Sequence, residues 1–306
     1  MKSVSIITVN FNQSLVTEQL LQSIDTTNTY PNINIIVVDN GSKENDTETW
    51  KVKYPGINFI RSDINLGFAG GNNLGIRAAT GDYLFFVNND TEFTPGLVQT
   101  LAEDLDSHPE VGMISPKIMY FDEPGMIQYA GYTPMNYYTA RNYTIGQFEM
   151  DKGQFDNITG PTGYGHGAAM MVRRGAIEKA GTMAENFFLY FEEMDWCDRI
   201  RKAGYQIWVD TRAVILHKES VSVGKISGLK EYFMNRNRIL FIRRNAPGLA
   251  KFVFYIYFVS VVTPRNLLNY IKNGHKGFTS LLLKAIWWNI TESTDSTNLG
   301  YPIKKA

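Results

Sequence analysis

Residues 83–90 read Tyr-Leu-Phe-Phe-Val-Asn-Asn-Asp. Five apolar residues in a row, closed by three polar ones, predict a buried strand that ends in a polar loop. The same pattern recurs upstream. Ser3–Val9 (SVSIITV) is apolar and β-branched and breaks at Asn10-Phe11-Asn12, and Asn34–Val38 closes at Asp39-Asn40-Gly41-Ser42. Asn58–Arg61 reads as a short third strand in that series. Between these runs, apolar residues at Leu15, Leu20, Leu21 and Ile24 have helical spacing, and Gly70–Ala79 reads as a helix stopped by Gly81. Strands that alternate with helices from the first residue predict an α/β fold with a mostly parallel central sheet. Ligands bind beyond the carboxyl ends of such strands. Three of the four strands end in polar loops, which makes those loops the first candidates for a site.

Downstream, Thr94–Asp106 reads as a helix, and residues 111–159 weaken into turns and short strands. Tyr164–Val172 returns to small and apolar residues, and Arg174–Ala180 is a short helix. An aromatic run, Phe187–Phe191, leads into Glu192-Glu193-Met194-Asp195-Trp196 and a helix that stops at Gly204. Ile207–Val209 and Ala213–Leu216 read as two short strands, with His217 just after. The composition changes between about Leu216 and Gly228. The expected organisation is therefore a catalytic domain over 1–224, divided into 1–110 and 111–224, followed by a helical region over 225–306.

The chain has 306 residues, 44% of them hydrophobic, which is enough for one large core with an appended module. Its one cysteine, Cys197, excludes a disulfide framework and fits a reducing compartment. No apolar run reaches the length of a membrane-spanning helix. The net charge is zero, yet eleven Lys and Arg stand between Lys225 and Lys284 against one acid, Glu231. In the same region, Lys251–Thr263 and Phe278–Ile290 are apolar and aromatic. Aromatic residues beside lysine and arginine suit an interfacial helix on an anionic membrane; packing of the same helices on the catalytic domain is the alternative. No nucleic-acid-binding module accompanies the charge.

Several residues could carry chemistry. Asp39 at a strand end suits a ribose or nucleobase, and it is also good turn chemistry. Asp90 can hold a divalent cation against a diphosphate, since hard cations take oxygen ligands and leave positions for phosphate and water. The segment Asn65–Asn73 (NLGFAGGNN) could bring backbone amides to a phosphate or ribose. It lacks the Gly-Lys-Ser/Thr of a P-loop and the spacing of a dinucleotide fingerprint. Glu192, Glu193 and Asp195 follow a hydrophobic wall, which raises carboxyl pKa values and suits a general base. Acids at a helix start are the plainer reading. His217 is a candidate metal or phosphate ligand, and His166, between two glycines, reads as a loop residue.

In their order and spacing, IITVNFN, IIVVDNGS, NLGFAGGNN, YLFFVNND, GHGAAMMVRR and FFLYFEEMDWCDRIRKAGYQIWVDTRAVILH resemble the family 2 glycosyltransferases, nearest their rhamnosyltransferase-like branch. The resemblance covers roughly Ser3–His217. It implies a GT-A, Rossmann-like nucleotide-diphospho-sugar transferase fold with a helical, basic and aromatic C-terminal extension. It places Thr8 and Asp39 on the base and ribose of the donor, with Asn10, Asn65, Gly71 and Asn89 in the nucleotide pocket. It places Asp90 and His217 on manganese or magnesium, although Asn88 and Asn89 stand where many members carry acids. Glu193 takes the position of the catalytic base, a glutamate where aspartate is commoner, with Glu192 and Asp195 orienting it or the acceptor.

The implied reaction is an inverting transfer from a dTDP- or UDP-sugar, rhamnose preferred, to a glycan or lipid-linked acceptor in cell-envelope polysaccharide synthesis. A UDP-hexose or UDP-N-acetylhexosamine donor is the nearest alternative. A nucleotidyltransferase would place basic residues after the first strand, where this chain has Asn10-Phe11-Asn12-Gln13. A non-catalytic sugar-nucleotide-binding protein would not need the acids. The implied location is cytoplasmic and peripheral to the inner face of the membrane; a homo-oligomer is left open.

Overall fold

A computed structural model describes residues 1–219 and 227–303. The elements run in order β1 (Val4–Asn10), α1 (Ser14–Thr27), β2 (Ile33–Asn40), α2 (Thr47–Lys53), β3 (Asn58–Ser62), α3 (Gly67–Ala78), β4 (Tyr83–Val87), β5 (Thr91–Phe93) and α4 (Leu97–Ser107). They continue with β6 (Val111–Tyr120), β7 (Ile127–Tyr129), β8 (Thr159–Pro161), β9 (Ala169–Arg173), α5 (Arg174–Ala180), α6 (Glu192–Lys202) and β10 (Gln206–His217). Four helices follow: α7 (Gly228–Asn245), α8 (Gly248–Tyr257), α9 (Thr263–Lys272) and α10 (Lys276–Thr291).

The main sheet has the order β3-β2-β1-β4-β9-β6-β10-β5. Its first four strands are parallel, and β9 then runs antiparallel between β4 and β6. Side chains alternate across the sheet, so neighbours in one strand serve different cores. Ile7 and Phe86 join Trp196 and Phe241 on one face, whereas Ile6 and Phe85 join Leu20 and Leu101 on the other. Helix α3 lies unusually close to β1. A Cβ on Gly75 would stand 2.4 Å from Ile7 Cγ2, and one on Gly71 would stand 2.8 Å from Val9 Cγ1. These glycines are what let the helix press onto the strand.

Three sequence expectations change. Residues 111–120 form one ten-residue strand, buried throughout, rather than a weak region. Ser115, Pro116 and Lys117 interrupt its apolar pattern, yet Lys117 is buried because Asp151 (2.7 Å) and Asp156 (3.1 Å) pair with it. The two short strands expected at 207–216 are a single strand, β10, with an irregularity between Asp210 and Val214. Helix α3 starts at Gly67 rather than at the expected Gly70, so residues 67–69 of the glycine-rich segment are its first turn and not a loop.

The C-terminal helices are continuous with the rest of the core: Leu240, Phe241, Phe254 and Trp288 belong to the same cluster as Ile7 and Phe86. The expected boundary at 224/225 lies outside the described residues. Among the described residues no helix is long and apolar enough to cross a membrane. The outer face of α8–α10 nevertheless exposes Phe252, Ile256, Val259, Leu268, Ile271 and Trp287.

Candidate active site

A cavity of about 610 Å³ opens at the carboxyl ends of β1, β2 and β4. Its walls include Asn40 and Asn65 from the β2 side, Asn88, Asn89 and Asp90 after β4, and Glu192 and Glu193 at the start of α6. Sequence reasoning therefore brought Asn65, Asn89, Asp90, Glu192 and Glu193 to one place. The other expected residues stand in three different relations to that cavity.

Asp39, Asn10 and Ser42 form a buried knot behind the wall. Asn10 Nδ2 donates to Asp39 Oδ1 (3.1 Å) and to Ser42 Oγ (3.1 Å), and Thr17 Oγ1 donates to Asn10 Oδ1 (2.9 Å). Ser42 also donates to Asp39, and Arg61 donates to its other oxygen and forms an ion pair with it. The adjacent Asn40 orders the wall itself. Its Nδ2 donates to the Gly67 carbonyl (3.0 Å), and its Oδ1 accepts the Leu66 N–H (3.0 Å). Read from sequence, Asn40 was only part of a turn.

His217 backs Asp90, with Nε2 3.1 Å from Asp90 Oδ1 and Nδ1 2.7 Å from Gln128 Oε1. With the Gln128 amide in this orientation its carbonyl accepts, so the ring proton sits on Nδ1 and a neutral ring turns its Nε2 lone pair toward Asp90. Two acceptors facing each other at that distance call for a cation between them, either a proton or a metal ion. One carboxylate and one imidazole, with phosphate and water completing the shell, fit manganese or magnesium. Among the described residues no cluster of three or more His, Cys, Asp or Glu offers a full protein cage.

Gly71, Asp195 and Thr8 depart from their expected places. Gly71 is packed under β1 and Asn40 and does not line the cavity. Asp195 faces away from the cavity. Arg199 (2.8 Å), Arg244 (3.0 Å) and Asn245 (2.9 Å) bind it, and although burial opposes its charge, these cations hold the carboxyl below its ordinary range. It anchors α6 to α7. Thr8 is fully buried with an unpartnered hydroxyl and is not a wall residue. Helical phase explains the separation of the acids: residues 192 and 193 lead into the cavity, and 195 points elsewhere on the first turn.

Among the described residues, Glu192 and Glu193 have no cation as a hydrogen-bonding or ion-pair partner, and none offers a partner to the buried Glu192 Oε2. Burial raises both carboxyls, and the charge of Glu193 raises Glu192 further. Glu193 is the more accessible of the two. Near it, a Cβ on Gly167 would stand 3.9 Å from both Glu193 Cγ and Phe68 Cζ. Two further wall residues were not singled out as site residues. His166 stacks on Tyr132 (5.9 Å between rings), and its Nδ1 accepts the Ala168 N–H (3.1 Å), which leaves the proton on Nε2. Burial, then the neighbouring His217, hold the His166 pKa down to about 3, so the ring is neutral. Only the flanking glycines hinted at the access of this histidine to the cavity.

Residues 5–181 match the profile of Glycosyl transferase family 2. The chain belongs to that family. It is a glycosyltransferase with a GT-A-like fold, moving a sugar from a nucleotide-diphosphate sugar donor to an acceptor. Over 240 residues it is 23% identical to the N-acetylglucosaminyl-diphospho-decaprenol L-rhamnosyltransferase of Mycobacterium tuberculosis, covering 72% of this chain and 77% of the relative. Over 210 residues it is 27% identical to the low-salt glycan biosynthesis hexosyltransferase Agl10 of Haloferax volcanii, covering 67% and 66%. Among solved structures, S. aureus TarS 1–349 in complex with UDP-GlcNAc superposes with a TM-score of 0.61 at 15% identity over 96% of this chain and 83% of that one. The mannosyltransferase PcManGT of Pyrobaculum calidifontis, in complex with GDP-Man and Mn2+, gives 0.57 at 14% over 95% and 87%. These structures share the fold of the transferase.

Proposed function

We propose that the transferase is an inverting, metal-dependent enzyme in which Glu193 is the catalytic base. The observation that carries this reading is a pair of acids on the wall of the cavity that also holds Asp90, Glu192 buried and Glu193 partly exposed, with no cation partner among the described residues. Burial makes Glu193 a stronger base than a free glutamate. It removes the proton of an acceptor hydroxyl, and that oxygen attacks the anomeric carbon from the side opposite the diphosphate. Burial and the charge of Glu193 both raise the Glu192 carboxyl, which disfavours a second negative charge beside the base. Asp90 and His217 would hold the divalent cation. A cation bound there supplies positive charge against the departing diphosphate. Asn65 and Asn89, on the cavity wall, contact the nucleoside, and the buried Asp39–Asn10 knot, Thr8 and Gly71 shape that wall from behind.

The preferred donor is dTDP-rhamnose, and the acceptor is a lipid-linked or glycan hydroxyl in envelope polysaccharide synthesis. The similarity to the mycobacterial rhamnosyltransferase supports that choice. UDP-N-acetylglucosamine is the second reading, favoured by the superposition on TarS. Residues 1–224 carry the reacting groups, and the C-terminal helices pack on them in the same core. The apolar and basic outer face of the described part of 225–290 rests on an anionic membrane, which puts the enzyme on the cytoplasmic side.

A thermal-shift panel of nucleotide sugars, with and without manganese or magnesium, tests the site, because a ligand of the folded state raises its apparent stability. A metal-dependent shift with dTDP-rhamnose is expected. A shift with UDP-sugars alone changes the donor, and no shift with any of them defeats the reading. Sedimentation with anionic and with zwitterionic vesicles tests the membrane face, with binding to the anionic ones expected.

A further inference from the structure

The backbone just before the two glutamates is strained. Phe188, Tyr190 and Phe191 all have positive φ (65°, 70° and 72°), and none is glycine. The Leu189 N–H donates to the Phe187 carbonyl (2.7 Å), which closes a tight three-residue turn around Phe188. Such conformations persist only where the surroundings over-determine them. The determinants come from two other elements. From α3, the Phe68 N–H donates to the Phe188 carbonyl (2.7 Å). From α7, Asn237 Nδ2 reaches three carbonyls at once: Phe187 (2.8 Å), Leu189 (2.7 Å) and Tyr190 (2.8 Å).

Asn237 is itself held in place. Arg236 Nε donates to Asn237 Oδ1 (2.8 Å), which turns the amide NH₂ toward the loop. The Arg236 guanidinium lies over the rings of Phe233 (4.8 Å) and Trp288 (4.5 Å) and donates to the Asn186 and Leu299 carbonyls. Both side chains are fully buried, and α7 lies outside the segment that matches the family profile. Every carbonyl from Asn186 to Tyr190 therefore has a donor, four of them from α7.

We infer that Asn237, oriented by Arg236, is a positioning residue: it clamps residues 187–190 so that α6 starts where Glu192 and Glu193 face the cavity. The inference rests on the reading of Glu193 as the base. The C-terminal helix is then part of the catalytic apparatus. Loss of the clamp lets the positive-φ residues relax and moves the carboxylate away from the acceptor, while the Asp39 knot, which α7 does not touch, stays intact.

The test uses the full chain with N237D, which keeps the shape but faces the carbonyls with an acceptor, and N237S, which keeps one donor. L282A, a cavity in α10 that removes none of these hydrogen bonds, is the stability control. The readouts are nucleoside diphosphate release from dTDP-rhamnose or UDP-N-acetylglucosamine, nucleoside diphosphate affinity, and amide exchange. The expected result for N237D is a loss of at least thirtyfold in kcat, affinity within threefold of the parent, and at least tenfold faster exchange confined to residues 187–195. N237S is expected to fall between N237D and the parent. Parent-like kcat and exchange in both variants overturn the inference, as does a loss of kcat that L282A reproduces at equal melting temperature. E193Q is run in parallel. Parent-like activity in that variant defeats the assignment of the base, whereas the exchange pattern of N237D still decides the clamp.

Discussion

Two regions at the carboxyl side of the sheet carry buried acids, and their chemistry differs. Around Asp39 every acceptor is met, by Arg61, Ser42 and Asn10, on unstrained strand ends. Around Glu192 and Glu193 no cation among the described residues pairs with the acids, the backbone before them is strained, and burial raises both carboxyls. A saturated acid is a fixed shape that can recognise a ligand. An unsaturated one retains a proton affinity that a reaction can use.

The largest expected effect comes from the second region. Glu193→Gln should lower kcat by about 10³-fold, roughly 4 kcal/mol in the barrier, without weakening nucleotide binding. Because the Glu193 pKa is raised, the acidic limb of the parent pH–rate profile should lie above the ordinary glutamate range. A limb at or below that range would erase the contrast between the two regions.

Asp90→Asn and His217→Ala come next. Each should remove the metal-dependent part of the nucleotide thermal shift and lower activity by about 10²-fold, near 2.7 kcal/mol. A metal-dependent shift that survives in both variants would move the cation away from this pair.

Asp39→Ala acts on the saturated region and should appear as stability. It leaves Arg61 without its carboxylate, and because Arg61 is partly exposed the loss should be about 2 kcal/mol, below that for a fully buried pair. Urea unfolding measures it, and a loss below about 0.5 kcal/mol would show that the knot is not structural.

The smallest effect sharpens the comparison with a third acid, remote from the cavity. Asp104 is pushed up to about 7 by burial and by Asp210, against Arg212. A carboxyl raised in the folded state contributes stability at low pH and loses it as pH rises from about 4 through 7. Asp104→Asn should therefore flatten the decline in stability above pH 6, by roughly 1 kcal/mol. It should leave kcat unchanged, since a raised acid makes a site only where it meets a cavity.

The strands that end in polar loops, the parallel half of the sheet and the acids at 90, 192 and 193 were legible because each depends on local pattern. Strand β6 was not, because Lys117 looks exposed until Asp151 and Asp156, more than thirty residues away, neutralise it. The resemblance implied a pocket place for Gly71; only the closeness of α3 to β1 shows that its missing side chain is needed for packing.

By itself, the sequence of this transferase determined which residue types stand at the ends of its strands, since alternation and turn chemistry act over a few residues. The tertiary structure decided which acids are free and which are paired. Asp195 and Glu193 are two residues apart, yet one meets Arg199 and Arg244 and the other faces the cavity. Charge pairing depends on distance in space: Arg199 stands one turn along the same helix, but Arg244 comes from α7, which reaches Asp195 only in the folded chain.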